Sequence, residues 1–236
     1  MKKQKLVVLS GAGVSAESGI KTYRDNDGLW ENYPVEQVAS IEGWYRDKAL
    51  MLRFYNERRR QLATTKPNRA HEIIAELEHW FDVVVVTQNV DDLHERAGSS
   101  NVIHLHGELT KARPEDLDPE MGGGRGIVDI GYKDLNLGDR DSRGVQMRPH
   151  IVWFGEAVPM IEPAAREVSE ADILLIIGTS LVVYPAAGLV RYARPGVPVY
   201  VIDPKPVSLY GGNITQIQEP ATVGMARFRE MIIPVE

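Results

Sequence analysis

The chain has 236 residues, 43% of them hydrophobic and 25% charged, which is ordinary for a soluble globular protein and long enough for one large domain with a satellite. A net charge of −6 excludes a global basic footprint for nucleic acid, and the lack of any cysteine excludes disulfides, thiol nucleophiles and thiolate zinc sites. No apolar run reaches the roughly 18 residues a span needs, so no membrane association is expected. The short apolar stretch after Met1–Lys5 is better explained by the turn that follows it than as a leader, and a cytoplasmic protein is expected.

The first predicted element is a buried strand ending at Ser10, an apolar run from Leu6 rich in β-branched residues. It breaks at Gly11-Ala12-Gly13 and runs on to Ala16 as Gly-x-Gly-x-x-Ala, the pattern of a phosphate-binding turn after a strand. Glycines let the backbone approach a pyrophosphate, and N–H groups at the turn and the helix start face the anion. The acidic residue that should hold a ribose about 20 residues on is missing. A loop, Asp25 to Tyr33, leads instead into helix-like sequence over Val35–Ala39 and Trp44–Thr64, so a segment is inserted before the next strand. Leu50, Leu52, Phe54, Tyr55 and Leu62 fall near one face of the second helix. Tyr55 and Arg58 share a face at i, i+3, and a solvated charge run is the ordinary reading of Arg58 to Arg60.

Pro67 stops that helix, and another follows with Ile73, Ile74, Leu77 and Trp80 as its apolar stripe. A strand over Phe81–Val86 ends in Thr87-Gln88-Asn89-Val90-Asp91, where Asp91 is placed to cap a short helix. Val102 and Ile103 form the next strand, which ends at His104-Leu105-His106-Gly107. Residues 108–148 hold three successive glycines, many aspartates and few large apolar side chains, which predicts a satellite module or a partly mobile segment. That stretch contains no histidine and no calcium-loop pattern, so no metal site is expected in it. Apolar character returns at Pro149–Phe154. A helix over Glu162–Glu170, a strand over Ile173–Ile177 ending in Gly178-Thr179-Ser180, a helix over Tyr184–Tyr192 and a strand over Val197–Ile202 ending at Asp203-Pro204 follow, and the last helix is Ala221–Met231.

Strands alternating with helices predict an α/β fold, a doubly wound parallel sheet. The chemically useful residues sit just after the strands, at Gly11–Ser15, Gln88–Asp91, His106, Gly178–Ser180 and Asp203, and ligands of such sheets bind outside the carboxyl ends of the strands. One large site is therefore expected. A histidine at that edge suits general-base work, but His104 and His106 point the same way and their placement alone does not choose between them.

The sequence is similar to the sirtuins, NAD-dependent protein deacylases. The resemblance rests on GAGVSAESGI at Gly11–Ile20, TYRDNDGLW at Thr22–Trp30, TQNVDDLH at Thr87–His94, HLHGEL at His104–Leu109, RPHIVWFGE at Arg148–Glu156 and GTSLVVYPA at Gly178–Ala186, in family order over nearly the whole chain. It implies a Rossmann-like NAD-binding domain over 1–25, 66–106 and 149–236 with a smaller inserted domain over 26–65 and 107–148. NAD is the implied co-substrate, acylated-lysine proteins or peptides are the implied partners, and a monomer is expected. The implied activity is removal of acetyl, succinyl or malonyl groups from lysine with transfer of the acyl group to ADP-ribose. A mono-ADP-ribosyltransferase and a non-catalytic NAD or ADP-ribose binding module are the alternatives.

By the same resemblance His106 is the general base and His104 is structural. Gln88 and Asn89 are placed on the nicotinamide ribose and Asp91 on the carboxamide. Gly11, Ala12, Gly13, Ala16, Glu17 and Ile20 contact the cofactor, with Tyr23, Arg24 and Trp30 in a flexible loop over it. Gly178, Thr179 and Ser180 hold the phosphates and adenosine ribose, Asp203, Pro204 and Lys205 contact the adenosine half, and Ala221 lies near the adenine. Val152, Phe154, Gly155 and Glu156 line the acyl-lysine tunnel and pair with the substrate backbone as an added strand. Tyr55 and Arg58 match the Tyr-x-x-Arg pair that grips an acidic acyl group, and Ala39 leaves room for the longer chain. The family's four zinc-binding cysteines are absent, Pro114 standing where the first is expected, so the small module is expected to be zinc-free. Lys21 replaces a usual proline and Asp203 a usual asparagine.

Overall fold

A computed structural model of the chain describes residues 2–21, 29–30, 33–117, 126–209 and 213–233, with backbone alone for Leu29 and Trp30. In chain order its strands are β1 (Lys5–Ser10), β2 (Leu29–Trp30), β3 (Tyr33–Pro34), β4 (Asp82–Thr87), β5 (Val102–His104), β6 (Gly107–Pro114), β7 (Val128–Asp129), β8 (Met147–Ile151), β9 (Ile173–Ile177), β10 (Val199–Ile202) and β11 (Ile214–Ile217). The helices are α1 (Val35–Val38), α2 (Ile41–Arg46), α3 (Lys48–Thr64), α4 (Arg69–Glu76), α5 (Leu93–Ala97), α6 (Ile161–Glu170) and α7 (Ala221–Ile232).

Six strands pair in parallel in the order β11-β10-β9-β1-β4-β5. Strand order reverses between β1 and β9, which is the switch point of a Rossmann-like sheet. Side-chain alternation explains why these runs are strands covered on both sides. Leu6, Val8, Val83, Val85, Leu175 and Ile177 face one way, onto α4 and α7 through Ile73, Ile74, Met225 and Phe228. Val7, Leu9, Val84, Val86, Leu174 and Ile176 face the other way, onto Ala164 and Val168 of α6 and onto Leu189. Each such side chain contributes about 1.5–3 kcal/mol by burial, well above an exposed ion pair such as Lys5 with Glu170.

The remaining elements form a smaller unit that leaves the sheet between β1 and β4 and again between β5 and β9. Its antiparallel sheet has the order β7-β6-β8 and packs with α1–α3 around Trp44, Met51, Phe54, Leu62, Met147 and Trp153. Among the described residues no helix is long and apolar enough to cross a membrane, and no group of three His, Asp or Glu could hold a metal ion.

Several expectations are corrected. The single helix expected from Trp44 to Thr64 is two, because Asp47 adopts φ −152° and ψ 82° and its carboxylate accepts the Leu50 N–H, capping α3. Trp80 lies beyond α4 and a short 3₁₀ turn and is 42% exposed, off the apolar stripe. Tyr184–Tyr192 holds 3₁₀ turns over Ala186–Tyr192 where a helix was expected. The stretch expected to be a satellite module or a partly mobile segment contains most of β6, a strand not read from the sequence because its register shift between Gly107 and Ala112 breaks the alternation that would announce it. β11, a four-residue edge strand with two exposed positions, was not expected either.

Candidate active site

The turns after β1 and β9 lie against each other at the switch point. The Gly11 N–H donates to the Ile177 carbonyl at 3.0 Å and the Gly13 N–H to the Gly178 carbonyl at 2.9 Å. A Cβ on Gly13 would stand 2.6 Å from the Gly178 Cα, and Gly178 itself has φ +62°. These glycines therefore serve the crossing of two chain turns, a reason different from the close approach to a pyrophosphate expected of them. The chain then makes 3₁₀ turns over Ala12–Ser18, closed by Gly19 at φ +91°, where a dinucleotide fold would start a long helix.

Above this crossing opens a cavity of about 680 Å³, within the range of small-molecule sites. Gly11, Ala12, Gly13, Ala16, Glu17 and Ile20 line it from the first turn, and Gly178, Thr179 and Ser180 from the second. Asp203, Pro204, Lys205 and Ala221 close the far end. Asp203 is buried, and one of its carboxylate oxygens accepts the Lys205 N–H at 3.0 Å. The Glu17 carboxylate accepts the N–H and the hydroxyl of Thr222 at 2.9 and 2.7 Å, an anion at the start of α7. Tyr23 and Arg24 lie outside the described residues, as does the side chain of Trp30.

The loop after β4 supplies the middle of the cavity with Gln88, Asn89 and Asp91. The Gln88 amide donates to the Thr179 hydroxyl at 3.1 Å, tying this loop to the turn after β9. Ser15 lies beneath: its hydroxyl donates to Asp91 at 3.1 Å and accepts from the Asn89 amide at 3.2 Å. His71 stands 3.4 Å from the same hydroxyl, its ring edge-on to His94, which reaches Ser10. Burial pushes Asp91 up to about 6, against the Leu93 N–H and Ser15 hydroxyl, which favour its charge. Asp91 bonds the first N–H of α5 as expected of a capping carboxylate, although Asp92 occupies the cap position. The sequence places Ser15 at the strand end without a role and does not single out His71; the signal for His71 is Asn68 three residues earlier, with which it forms a capping box.

Of His104, which ends β5, and His106, which follows it, only His106 lines the cavity. Its Nδ1 stands 3.1 Å from the Gln88 carbonyl, which can only accept, so Nδ1 carries the proton and Nε2 of the neutral ring is free to take one. Burial lowers its pKa below the usual histidine value, outweighing that hydrogen bond, and keeps the ring neutral near pH 7.

The other end of the cavity is lined by Ala39, Tyr55, Val152, Phe154, Gly155 and Glu156, with Trp153 an unexpected addition. The Tyr55 hydroxyl donates to the Val38 carbonyl at 2.9 Å and accepts from the Trp153 indole at 2.8 Å. Glu156 does not offer its carboxylate outward: Arg148 holds both oxygens at 2.6 and 2.9 Å, with Arg113 and the Trp153 N–H behind. The Phe154 N–H and carbonyl pair with Ala39 and Ile41, so this residue's own backbone bonds are already made. Arg58 does not line the large cavity. It borders a smaller one of about 50 Å³ that shares Ile20, Lys21, Val90 and Asp91 with it.

A switch-point crevice of this size, with glycine turns on its floor, a neutral histidine at its centre and a second unit closing one end, defines a nucleotide-dependent enzyme of Rossmann-like fold. The Sir2 family model matches residues 11–185, and the chain belongs to that family. A Bacteroides thetaiotaomicron protein named NAD-dependent protein deacylase is 54% identical over 97% of this chain and 98% of its own length. A Sir2 homologue solved with NAD superposes with a TM-score of 0.82 at 36% identity, covering 97% of this chain and 89% of that one. A Sir2 protein solved with a deacetylated p53 peptide and 3′-O-acetyl-ADP-ribose gives 0.79 at 28% identity, covering 98% and 94%. The activity of the chain is NAD-dependent protein deacylation.

Proposed function

We propose that this deacylase removes acidic acyl groups, succinyl or malonyl, from protein lysines as well as acetyl, with His106 as general base and Arg58 as partner of the distal carboxylate. The observation that carries the acyl preference is the state of Arg58. Its Nε and Nη1 are buried and have no hydrogen-bond partner among the described residues. Its guanidinium lies over the Phe54 ring at 4.4 Å, and Nη2 reaches only the exposed Glu57 at 3.5 Å. A buried cation with unmet donors suits a bidentate carboxylate. With the Tyr55 proton directed to Val38, the charge-matching falls on Arg58, and Tyr55 and Ala39 act as walls.

The residues fit NAD: the cavity runs from the two turns at Gly11–Gly13 and Gly178–Ser180 to the buried Asp203 carboxylate at its far end, and a carboxylate there can accept from ribose hydroxyls. NAD supplies an electrophilic ribose carbon when nicotinamide leaves, and ADP-ribose takes the acyl group. Asn89 and Gln88 orient the nicotinamide ribose, Asp91 holds the carboxamide, and His106 Nε2 accepts the proton of a ribose hydroxyl. The tunnel between Ala39 and Val152 holds the weakly nucleophilic amide in place, so positioning supplies much of the acceleration. The p53 peptide of the solved relative supports acyl-lysine peptides as the partners. A panel of acetyl-, malonyl- and succinyl-lysine peptides with NAD tests the reading. Turnover of all three is expected, and turnover of acetyl-lysine alone sinks the acidic-acyl assignment.

A further inference from the structure

His104, two residues before the base and outside the cavity, has a hydrogen-bond pattern that the reaction as described does not use. Its Nδ1 stands 3.0 Å from the Asn89 carbonyl and its Nε2 stands 2.7 Å from the Glu95 carboxylate. A carbonyl oxygen and an ionised carboxylate only accept, so both ring nitrogens carry protons and the ring is an imidazolium. Its side chain is 8% exposed.

The bond to Asn89 belongs to a series. The parallel ladder between β4 and β5 ends at the pair Thr87 and His104. Beyond it the carbonyls of four consecutive residues are met in turn from one segment: Thr87 by the Leu105 N–H, Gln88 by His106 Nδ1, Asn89 by His104 Nδ1, and Val90 by the Leu109 N–H. Two backbone bonds bracket two imidazole bonds. The rings thus continue the ladder along the loop that carries Gln88, Asn89 and Asp91, where the backbones have diverged.

We propose that His104 is a positioning residue whose charged ring holds the Asn89 carbonyl, and with it the 88–91 loop, in register with His106, and that loss of its proton sets an alkaline limit on deacylation. The inference rests on the reading of His106 as the base. The two rings are poised oppositely: His106 must be neutral to act, and His104 must be charged to hold both partners, because a neutral ring keeps one proton and the Glu95 carboxylate, a stronger acceptor than the Asn89 carbonyl, draws it to Nε2. The charged and titratable groups that act on His104 are Glu95 and His94 on α5, Asp91 in the loop, Glu108 on β6 and His150 on β8, with Lys111 paired to Glu108 behind them. Burial opposes the charge on His104, but Glu95 first and then Glu108 outweigh it and hold its pKa above the usual histidine value. Histidine 150 is lowered to about 4 and His94 far below its usual range, so both are neutral where His104 titrates. A raised histidine pKa gives an interaction fully present below about 6.5 and lost as pH rises through the raised value.

Glu95→Gln tests this, because the amide still accepts the Nε2 proton but no longer stabilises the charge. The alkaline limb of the kcat/KM profile should move down by about one pH unit, with the acid limb unmoved and the optimum rate within about threefold. The His104 imidazole resonance, followed by NMR in the whole protein, should titrate above 6.5 in the wild type and fall by the same amount in the variant. An alkaline limb that stays in place, or a His104 resonance titrating at or below 6.5, overturns the proposal. The NMR arm reads no turnover, so a failed base assignment (a His106→Ala variant that still releases lysine) is distinguishable from a failed His104 assignment.

Discussion

The parallel sheet and the small unit solve the same problem by opposite means. In the sheet the ladder meets the backbone of the central strands, and the side chains of β1, β4 and β9 pack except at the carboxyl edge, where Ser10 donates to Thr87. Buried polar side chains gather at its carboxyl edge, where Ser15, Asn89, Asp91 and Thr179 surround the site. The small unit has polar side chains inside it. The buried Arg59 donates to the Leu109 carbonyl at 2.7 Å and to Asn56 at 2.6 Å. The Gln146 amide donates to the carbonyls of Asn136, Asp139 and Met147, while its oxygen accepts the Gly138 N–H. Irregular backbone leaves groups that no ladder can satisfy, and buried amides and guanidinium groups take the ladder's place. A polar knot around Gln146 ties residues 136–147 of this unit together.

The contrast assigns chemistry to the sheet edge and shape to the small unit, and it can be attacked at both ends. The largest effect is expected for His106→Ala. Deacylation should fall by about 10²–10⁴-fold while calorimetric NAD binding persists; undiminished lysine product removes the base from the sheet edge. Gln146→Ala should loosen the small unit by about 3 kcal/mol, because three carbonyls lose a buried donor. Hydrogen exchange should quicken across residues 136–147 and stay slow in β1 and β9; uniform quickening would mean that the two regions do not differ in kind. Arg58→Met should lower desuccinylation about tenfold and deacetylation much less, as expected for loss of one charge-assisted contact. Equal losses on the two substrates would make Arg58 a packing residue. The smallest effect, none at all, is expected from a strong zinc chelator, and a chelator-sensitive enzyme breaks the idea that packing and the polar knot hold the small unit.

The sheet was legible in the sequence because its signals are local. Val83–Val86 and Ile173–Ile177 are apolar runs of strand length ending in Gln88 or Gly178, and such runs fit only a doubly covered strand. The order of residues around the crevice followed from the same endings. The small unit was not legible beyond α3, because its order depends on contacts distant in sequence. Asn56 accepts the Leu135 N–H, 79 residues away, and Lys48 pairs with Glu115. No periodicity announces a strand bent by a register shift, nor an arginine such as Arg59 or Arg148 that is buried as a donor. The His104 and His106 pair shows the limit within the site: spacing put both rings on one side, and only their partners separate the roles.

Gly107, which follows the base and opens β6, has φ +79°, and an added Cβ there would come within 2.0 Å of the His150 carbonyl. The Val152 N–H meanwhile donates to the His106 carbonyl at 2.9 Å. The general base is thus mounted on the joint between the two sheets, gripped by a crossing that tolerates no side chain. Turnover becomes a gauge of assembly: if the small unit lets go first in denaturant, activity vanishes while the parallel sheet is still folded, and the enzyme is silent before it is unfolded.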